Sequence, residues 1–176
     1  MIPSLETARL RLRPYRPEDF EVFAEMSADP DVMRYIDAPQ DRATAFRSFC
    51  AGIGHWTVRG YGSWAMEEKG TGQFAGRAGL FDWEGNHGLE VGYALRRGFW
   101  GRGYASEAAE RVLAYAHAIG KRGVISVIEI GNEASVRVAE KLGGFVDRKS
   151  QVKGRDVFIY RYPDPERTPR VSSSRG

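Results

Sequence analysis

The feature that most constrains this chain is a change of period near residue 100. Leu89 to Leu95 reads as a strand, Arg96-Arg97-Gly98-Phe99-Trp100-Gly101-Arg102-Gly103 as a loop, and the residues after it as a helix. In that helix Ala105, Ala108, Ala109, Val112, Leu113 and Ala116 fall on one face at helical spacing, and Gly120 ends it. The loop holds three glycines, three arginines and no acid. A helix start offers unpaired amides and the positive end of the helix dipole. Glycine lets backbone approach a ligand closely, and arginine adds a charged fork. A polyphosphate is the natural occupant; the competing reading is a Gly-rich turn on a solvated surface. The chain has no G-x-x-x-x-G-K-S/T, and no G-x-G-x-x-G follows its first strand, which argues against a Walker-type loop and against dinucleotide binding.

Around this unit the pattern is mixed. Leu10 and Leu12 alternate with Arg9, Arg11 and Arg13, which predicts a half-buried strand with its arginines outward. Arg16-Pro17-Glu18-Asp19 starts a helix with Phe20, Phe23 and Ala24 as its apolar stripe, and Asp29-Pro30-Asp31 stops it. A second helix is expected from about Asp41 to Thr57, with Phe46, Phe49, Cys50 and Ile53 facing the core. Ser63–Glu67, Gln73–Trp83 and Leu89–Leu95, joined by short turns, predict an antiparallel meander. Val124–Ile128 is a buried strand. Asn132–Leu142 is a helix capped by Asn132 and closed by Gly143-Gly144. A hairpin around Lys153-Gly154 ends the fold, giving the order β-α-α-β-β-β-α-β-α-β-β. Residues 1–162 form one domain, and the Pro/Ser/Arg-rich residues 163–176 read as a disordered tail.

Composition excludes several classes. At 176 residues, 42% hydrophobic and 28% charged, the chain is long enough for one self-sufficient core. No apolar run reaches the roughly 18 residues of a membrane span, and the N-terminus lacks a signal-peptide block. A single cysteine rules out an intrachain disulfide, and these absences together point to the cytoplasm. Net charge is +3, and 21 of the 26 basic residues are Arg, but no block of like charge suggests a nucleic-acid arm. His55, His87 and His117 lie on separate elements without ligand spacing, so no metal is expected. Cys50 is expected in the core. Tyr35, Trp56, Tyr61, Trp64 and Trp83 are either core or the lining of an acceptor cleft.

Over residues 5–162 the sequence resembles the GNAT N-acetyltransferase superfamily, and within it the Rim type, named for enzymes that acetylate ribosomal-protein N-termini. The resemblance rests on LETARLRLRP, LEVGYALRRGFWGRGYASEA, VISVIEI, NEASVRVAEKLGGF and the closing hairpin, in that order. It implies an α/β fold with one mixed, largely antiparallel sheet, splayed between its fourth and fifth strands and flanked by about four helices. It implies acetyl-CoA as co-substrate. Gly101, Arg102, Gly103, Tyr104 and Ala105 then match the pyrophosphate-binding stretch, with Trp100 where Gln or Arg is commonest and its role open. Tyr93, Ala94, Leu95 and Arg96 become backbone contacts for the pantetheine arm lying in the splay. Asn132 matches an Asn that often bonds that arm, and it also reads as a plain helix cap.

Acetyl transfer needs a base for the ammonium, a donor for the oxyanion and an acid for the thiolate. Glu90 heads the strand beside the splay and is the candidate base. Backbone amides around Tyr93 to Leu95 would serve the oxyanion. The Tyr that many members use as thiolate acid is replaced by Ala139, and Ser135 matches the acid proposed within the Rim type. The expected function is N-acetylation of a primary amine, either a protein N-terminal α-amine or a small molecule. A non-catalytic CoA-binding regulatory module on the same fold is the alternative. An RNA- or ribosome-associated role lacks any RNA-binding signature, and oligomeric state is not legible.

Overall fold

The computed structural model describes residues 1–85 and 87–165. A short strand β1 (Leu5–Glu6) and β2 (Leu10–Arg13) lead into α1 (Asp19–Ala28), the single turn α2 (Pro30–Met33) and α3 (Arg42–Arg59). The meander β3 (Ser63–Glu68), β4 (Phe74–Phe81) and β5 (Glu90–Leu95) follows. After it come α4 (Tyr104–Ala118), β6 (Ile125–Glu129), α5 (Glu133–Lys141), β7 (Phe145–Val152) and β8 (Arg155–Arg161). The strands make one 8-stranded sheet, ordered β1-β2-β3-β4-β5-β6-β8-β7. Every pairing is antiparallel except β5 with β6. The expected mixed α/β sheet is present. Two elements too short to show a period, β1 and α2, add to the expected list. The splay therefore lies between the fifth and sixth strands, and the helices number five.

The splay has a local cause. Strands β5 and β6 share one register pair, Glu90 with Ile125, next to an Ile125 amide bond to the Leu89 carbonyl at 2.9 Å. Beyond it side chains occupy the backbone groups. The Ser126 hydroxyl donates to the Val91 carbonyl at 2.9 Å, and the Val127 amide donates to Glu90 Oε1 at 3.3 Å. The Val91 carbonyl and the Val127 amide thus find partners without a continued ladder.

Both sheet faces are covered. Helix α4 packs Ala108, Ala109 and Val112 onto a floor that includes Leu10, Leu12, Trp64, Met66, Leu80 and Val91. Helices α1 and α3 place Phe23, Ala24, Ala45 and Phe49 over Ala65, Phe74 and Ala94 on the other face. Trp56, Tyr61 and Trp64 are core residues rather than cleft lining. Among the described residues no helix is long and apolar enough to cross a membrane.

Three expectations change. The buried face of α3 is Ala45, Phe49, Gly52, His55 and Trp56, so Phe46, Cys50 and Ile53 are exposed. His55 fits the interior because both ring nitrogens are used, Nδ1 with the Tyr61 carbonyl and Nε2 accepting from the Asp82 amide. Arg13 turns inward. Its guanidinium makes two bonds to Asp19, at 2.7 and 2.8 Å, and one to Glu67 at 2.6 Å, and these charge-assisted bonds offset its desolvation. Of the expected tail, Asp164 accepts the Gly123 amide at 2.9 Å. Residues 166–176 lie outside the described residues.

Candidate functional site

The loop after β5 begins with a 3-10 turn (Arg97–Phe99) and ends at Gly103, the N-cap of α4. Gly101 and Gly103 adopt φ of 73° and 77°, a left-handed backbone that favours glycine. Among the described residues, no hydrogen bond takes up the amides of Gly101, Arg102, Gly103, Tyr104 or Ala105. These are the positions expected to meet a pyrophosphate, and the chain leaves them available at the positive end of α4.

Side chains from distant segments fix this loop. Arg9 donates to the Arg102 carbonyl at 2.8 Å, and its guanidinium lies 4.6 Å from the centre of the Tyr104 ring. Glu68 accepts the buried Tyr104 hydroxyl at 2.6 Å and pairs with Arg102 at 3.3 Å. Arg97 pairs with Asp29 at 2.8 Å and Asp31 at 2.9 Å. Acids absent from the loop in sequence are thus supplied in space by α1, α2 and β3. Arg96 has no acidic partner among the described residues; its guanidinium donates to the Phe74 carbonyl at 3.2 Å. A cavity of about 490 Å³ opens beside these arginines, with Glu25, Asp29, Glu68 and Gln73 in its wall.

The splay narrows the expected backbone contacts. The Arg96 amide donates to the Ala75 carbonyl at 3.0 Å, and the Ala94 carbonyl presses on Gly76, so both face β4. Strand alternation leaves the backbone groups of Tyr93 and Leu95 directed at the gap. Of the four residues expected there, Ala94 and Arg96 are corrected on this ground. The Leu95 carbonyl receives the Trp100 indole N–H at 2.9 Å, so Trp100 closes the lower end of the gap. The sequence left that side chain without a role.

Glu90 stands at the upper end, where the strands part. Burial raises its carboxyl to about 7, against the lowering effects of the Val127 amide and the Arg77 charge. A carboxyl titrating near neutrality beside a gap is suited to proton transfer. On the opposite sheet face, the Tyr93 phenol meets the Ser135 hydroxyl; burial pushes Tyr93 up to about 12, with Ser135 acting the other way. Asn132 caps α5 by accepting the Ser135 amide at 3.2 Å, which leaves its side-chain amide donors free of the cap. Ala139 is buried in the core. Tyr93, Asn132 and Ser135 therefore group on one sheet face and Glu90 stands on the other, on strand β5 where it parts from β6.

Sequence reasoning missed two groups here. Ser126 and Tyr162 form a buried hydroxyl pair 3.0 Å apart that backs the Val91 carbonyl. Arg77 on β4 lies on the Glu90 face; only its position two residues before Gly79 in an alternating strand pointed inward.

A sheet splayed between two parallel strands, with a glycine-rich helix start below the gap, defines the acetyltransferase class that the sequence resembled. Residues 9–144 match the acetyltransferase (GNAT) domain family, and the chain belongs to that family. It is 34% identical over 165 residues to the uncharacterized protein YkkB of Bacillus subtilis, covering 89% of this chain and 93% of that one. It is 29% identical over 150 residues to the uncharacterized N-acetyltransferase YoaA of Bacillus subtilis, covering 81% of this chain and 83% of that one. Among solved structures, an acetyltransferase from Agrobacterium tumefaciens superposes with a TM-score of 0.85 at 30% identity, covering 93% of this chain and 96% of that one. The ribosomal α-N-protein acetyltransferase RimL, in complex with coenzyme A, shares the fold with a TM-score of 0.78 at 18% identity, covering 92% and 98%.

Proposed function

We propose that the chain is an acetyl-CoA-dependent N-acetyltransferase acting on a primary amine by direct attack. The observation that carries this is the side-chain-held break between β5 and β6, with a near-neutral carboxyl at its head and free helix-start amides at its foot. The residues fit acetyl-CoA. Gly101, Arg102, Gly103, Tyr104 and Ala105 would hold the pyrophosphate through their amides. Tyr93 and Leu95 would bond the pantetheine through backbone groups, with Asn132 adding side-chain donors. Bound there, acetyl-CoA supplies an activated acyl group.

The chain's own residues do the rest. Glu90 takes a proton from the acceptor ammonium, directly or through a water, and frees the nitrogen lone pair. The Tyr93 amide receives the carbonyl oxygen as charge develops on it. The new N–C bond forms as the C–S bond breaks, and the sulfur leaves with its electron pair. Ser135, backed by Tyr93, returns a proton to that sulfur. As the N–C bond forms the nitrogen gives up its second proton, which restores the serine hydroxyl, and Glu90 passes the first proton to solvent, so one net proton is released and the protein ends unchanged.

The test is turnover of acetyl-CoA against a panel of peptides and small amines, read as free thiol and as acetylated product by mass. Amine-dependent thiol release supports the reading. Tight coenzyme A binding without release against every amine would instead make the chain a binding module.

A further inference from the structure

Arg77 is the unused group nearest the candidate base. In β4, Arg77 pairs with Ala94 and Phe81 with Glu90, so Arg77, Gly79, Phe81, Glu90, Gly92 and Ala94 share one sheet face. Arg77 is half-buried, yet it makes no hydrogen bond or ion pair among the described residues. Several other partly or fully buried arginines hold acids: Arg13 holds Asp19 and Glu67, Arg155 holds Glu129, and Arg161 holds Asp147. Arg77, like Arg96 and Arg111, holds none among the described residues, and of these three only Arg77 lies within a strand on the Glu90 face. Placing an unmatched guanidinium beside Tyr15, Phe81 and Ala94 costs free energy that the fold itself does not recover.

Its direction is informative. The guanidinium carbon lies 5.8 Å from the centre of the Phe81 ring, so the side chain runs along β4 toward Glu90. Gly92 makes this possible: a Cβ there would come within 3.1 Å of the Phe81 ring, which lies flat over the strand. The Arg77 charge is felt by the Glu90 carboxyl and the Tyr15 phenol. A cation and a carboxyl therefore face the same space above Gly92, next to the point where the strands part.

The tip of the β7–β8 hairpin reaches over to the loop after α2, with Lys153 paired to Asp37 and Arg155 donating to the Arg34 carbonyl at 3.3 Å. Arg155 is held in turn by Glu129 at 2.8 Å. Arg77 stands opposite Ala94, four strand positions from Glu90, and its side chain reaches back along β4 toward Glu90, so the two groups bracket a short span suited to a small acceptor.

Resting on the acetyl-transfer reading above, we propose that the acceptor is a small amine bearing a carboxylate, an amino-acid-type molecule, and that Arg77 binds that carboxylate while Glu90 faces the amine. A planar fork suits a carboxylate. A neutral or polycationic amine would leave Arg77 unmatched or add like charge.

The test uses matched acceptors that differ only in the anion. A panel of free amino acids is compared with the corresponding amino-acid amides, with acetyl-CoA as donor. A third arm holds short peptides with acidic second residues. For the wild type, kcat/KM should favour the acids over the amides by roughly tenfold or more. R77A should collapse that ratio to near one, R77K should restore part of it, and acetyl-CoA affinity by calorimetry should stay unchanged in both. Amides accepted as well as acids, or a ratio unchanged in R77A, overturns the assignment, and peptides outrunning free amino acids overturn the small-molecule class. If no amine is turned over, it is the transfer reading that fails. N-acetyl amino acids and their amides are then titrated onto the protein with coenzyme A. A preference for the acids that R77A abolishes sustains the Arg77 site, and equal binding overturns it.

Discussion

Arg9 and Glu107, 98 positions apart in the chain, meet in a fork in which Arg9 Nε lies 2.7 Å from Glu107 Oε2 and the Arg9 amide 2.8 Å from Glu107 Oε1. Thr7 adds its hydroxyl to Oε1 at 2.6 Å. This explains why the opening LETARLRLRP and the central GRGYASEA belong together. The first-turn acid of α4 ties down the β1–β2 hairpin, and Arg9 in return bonds the Arg102 carbonyl, so a single cluster sets the position of the loop. E107A strips the Arg9 amide of its acceptor and leaves the Thr7 hydroxyl only the Leu10 carbonyl, at 3.0 Å. It should cost about 1–3 kcal/mol, reduced by the exposure of Arg9. R9A should cost less, because Thr7 still satisfies Glu107. Both should weaken acetyl-CoA binding more than they slow turnover at saturation. Thermal unfolding and a KM-against-kcat comparison check this. A stability loss without any change in KM would detach the cluster from the loop.

Gly103 offers a sharper test of the loop. Its backbone is left-handed, and a Cβ there would have only Arg9 NH2 near it, at 3.5 Å. The space would admit a side chain; the φ of 77° and the exposed amides disfavour one. G103E adds strain and a negative charge beside the free N–H groups, and acetyl-CoA affinity should fall roughly tenfold or more. G103N, which tolerates this conformation and adds no charge, should lose much less. Calorimetry with acetyl-CoA measures both; unchanged affinity in G103E would remove the loop from the binding site.

Much of this was legible because it is local. The period of α4, the meander turns and the Asn132 cap are each written within a few residues. Other parts depended on distant partners. The apolar spacing of Phe46, Phe49, Cys50 and Ile53 suggested a stripe. The helix instead buries Gly52 and a satisfied His55, and its Trp56 ring fills the place beside Gly62 where a Cβ would come within 2.8 Å. A polar residue with both nitrogens bonded and a glycine under Tyr15 are invisible to an apolar-period count. Arg13 looked outward for the same reason, since Glu67, one of the two carboxylates that receive it, lies 54 positions away. Arg77 shows the reverse case, a half-buried arginine that meets the Phe81 ring but no acid among the described residues.

On the proposed route Ser135 returns the proton to sulfur and Tyr93 backs it. Tyr93, raised to about 12, stays protonated through the working range, and its phenol faces the Ser135 hydroxyl. S135A should slow turnover by ~100-fold, the usual cost of lost acid catalysis, with coenzyme A affinity little changed. Y93F should slow it less, because the serine hydroxyl remains. Rapid-quench single turnovers separate this from product release. An S135A rate within about a factor of two of wild type would leave Ser135 only its place in the first turn of α5.

Glu90 makes a prediction in two observables at once. Its carboxyl rises from 4.5 to about 7 on folding, chiefly through burial. As a base it must be ionised, so kcat/KM should climb as pH rises through about 7, and E90Q should lose that step while still binding acetyl-CoA. The gap between the two proteins should be widest just above pH 7 and narrow toward the acceptor's own pKa, where free amine no longer needs a base. Stability should move the other way. Between 4.5 and about 7 the folded chain binds more protons at this site than the unfolded chain. Stability therefore falls as pH rises through that window, by roughly 3 kcal/mol if the whole shift is expressed. E90Q has no charge to bury, so its melting temperature should fall less from pH 5 to 8, roughly the span of the titration. A pH–rate profile and a pH series of thermal melts on the same two proteins give both curves. A parallel pair of melting curves with a constant rate gap would mean that Glu90 neither carries the buried titration nor acts as the base.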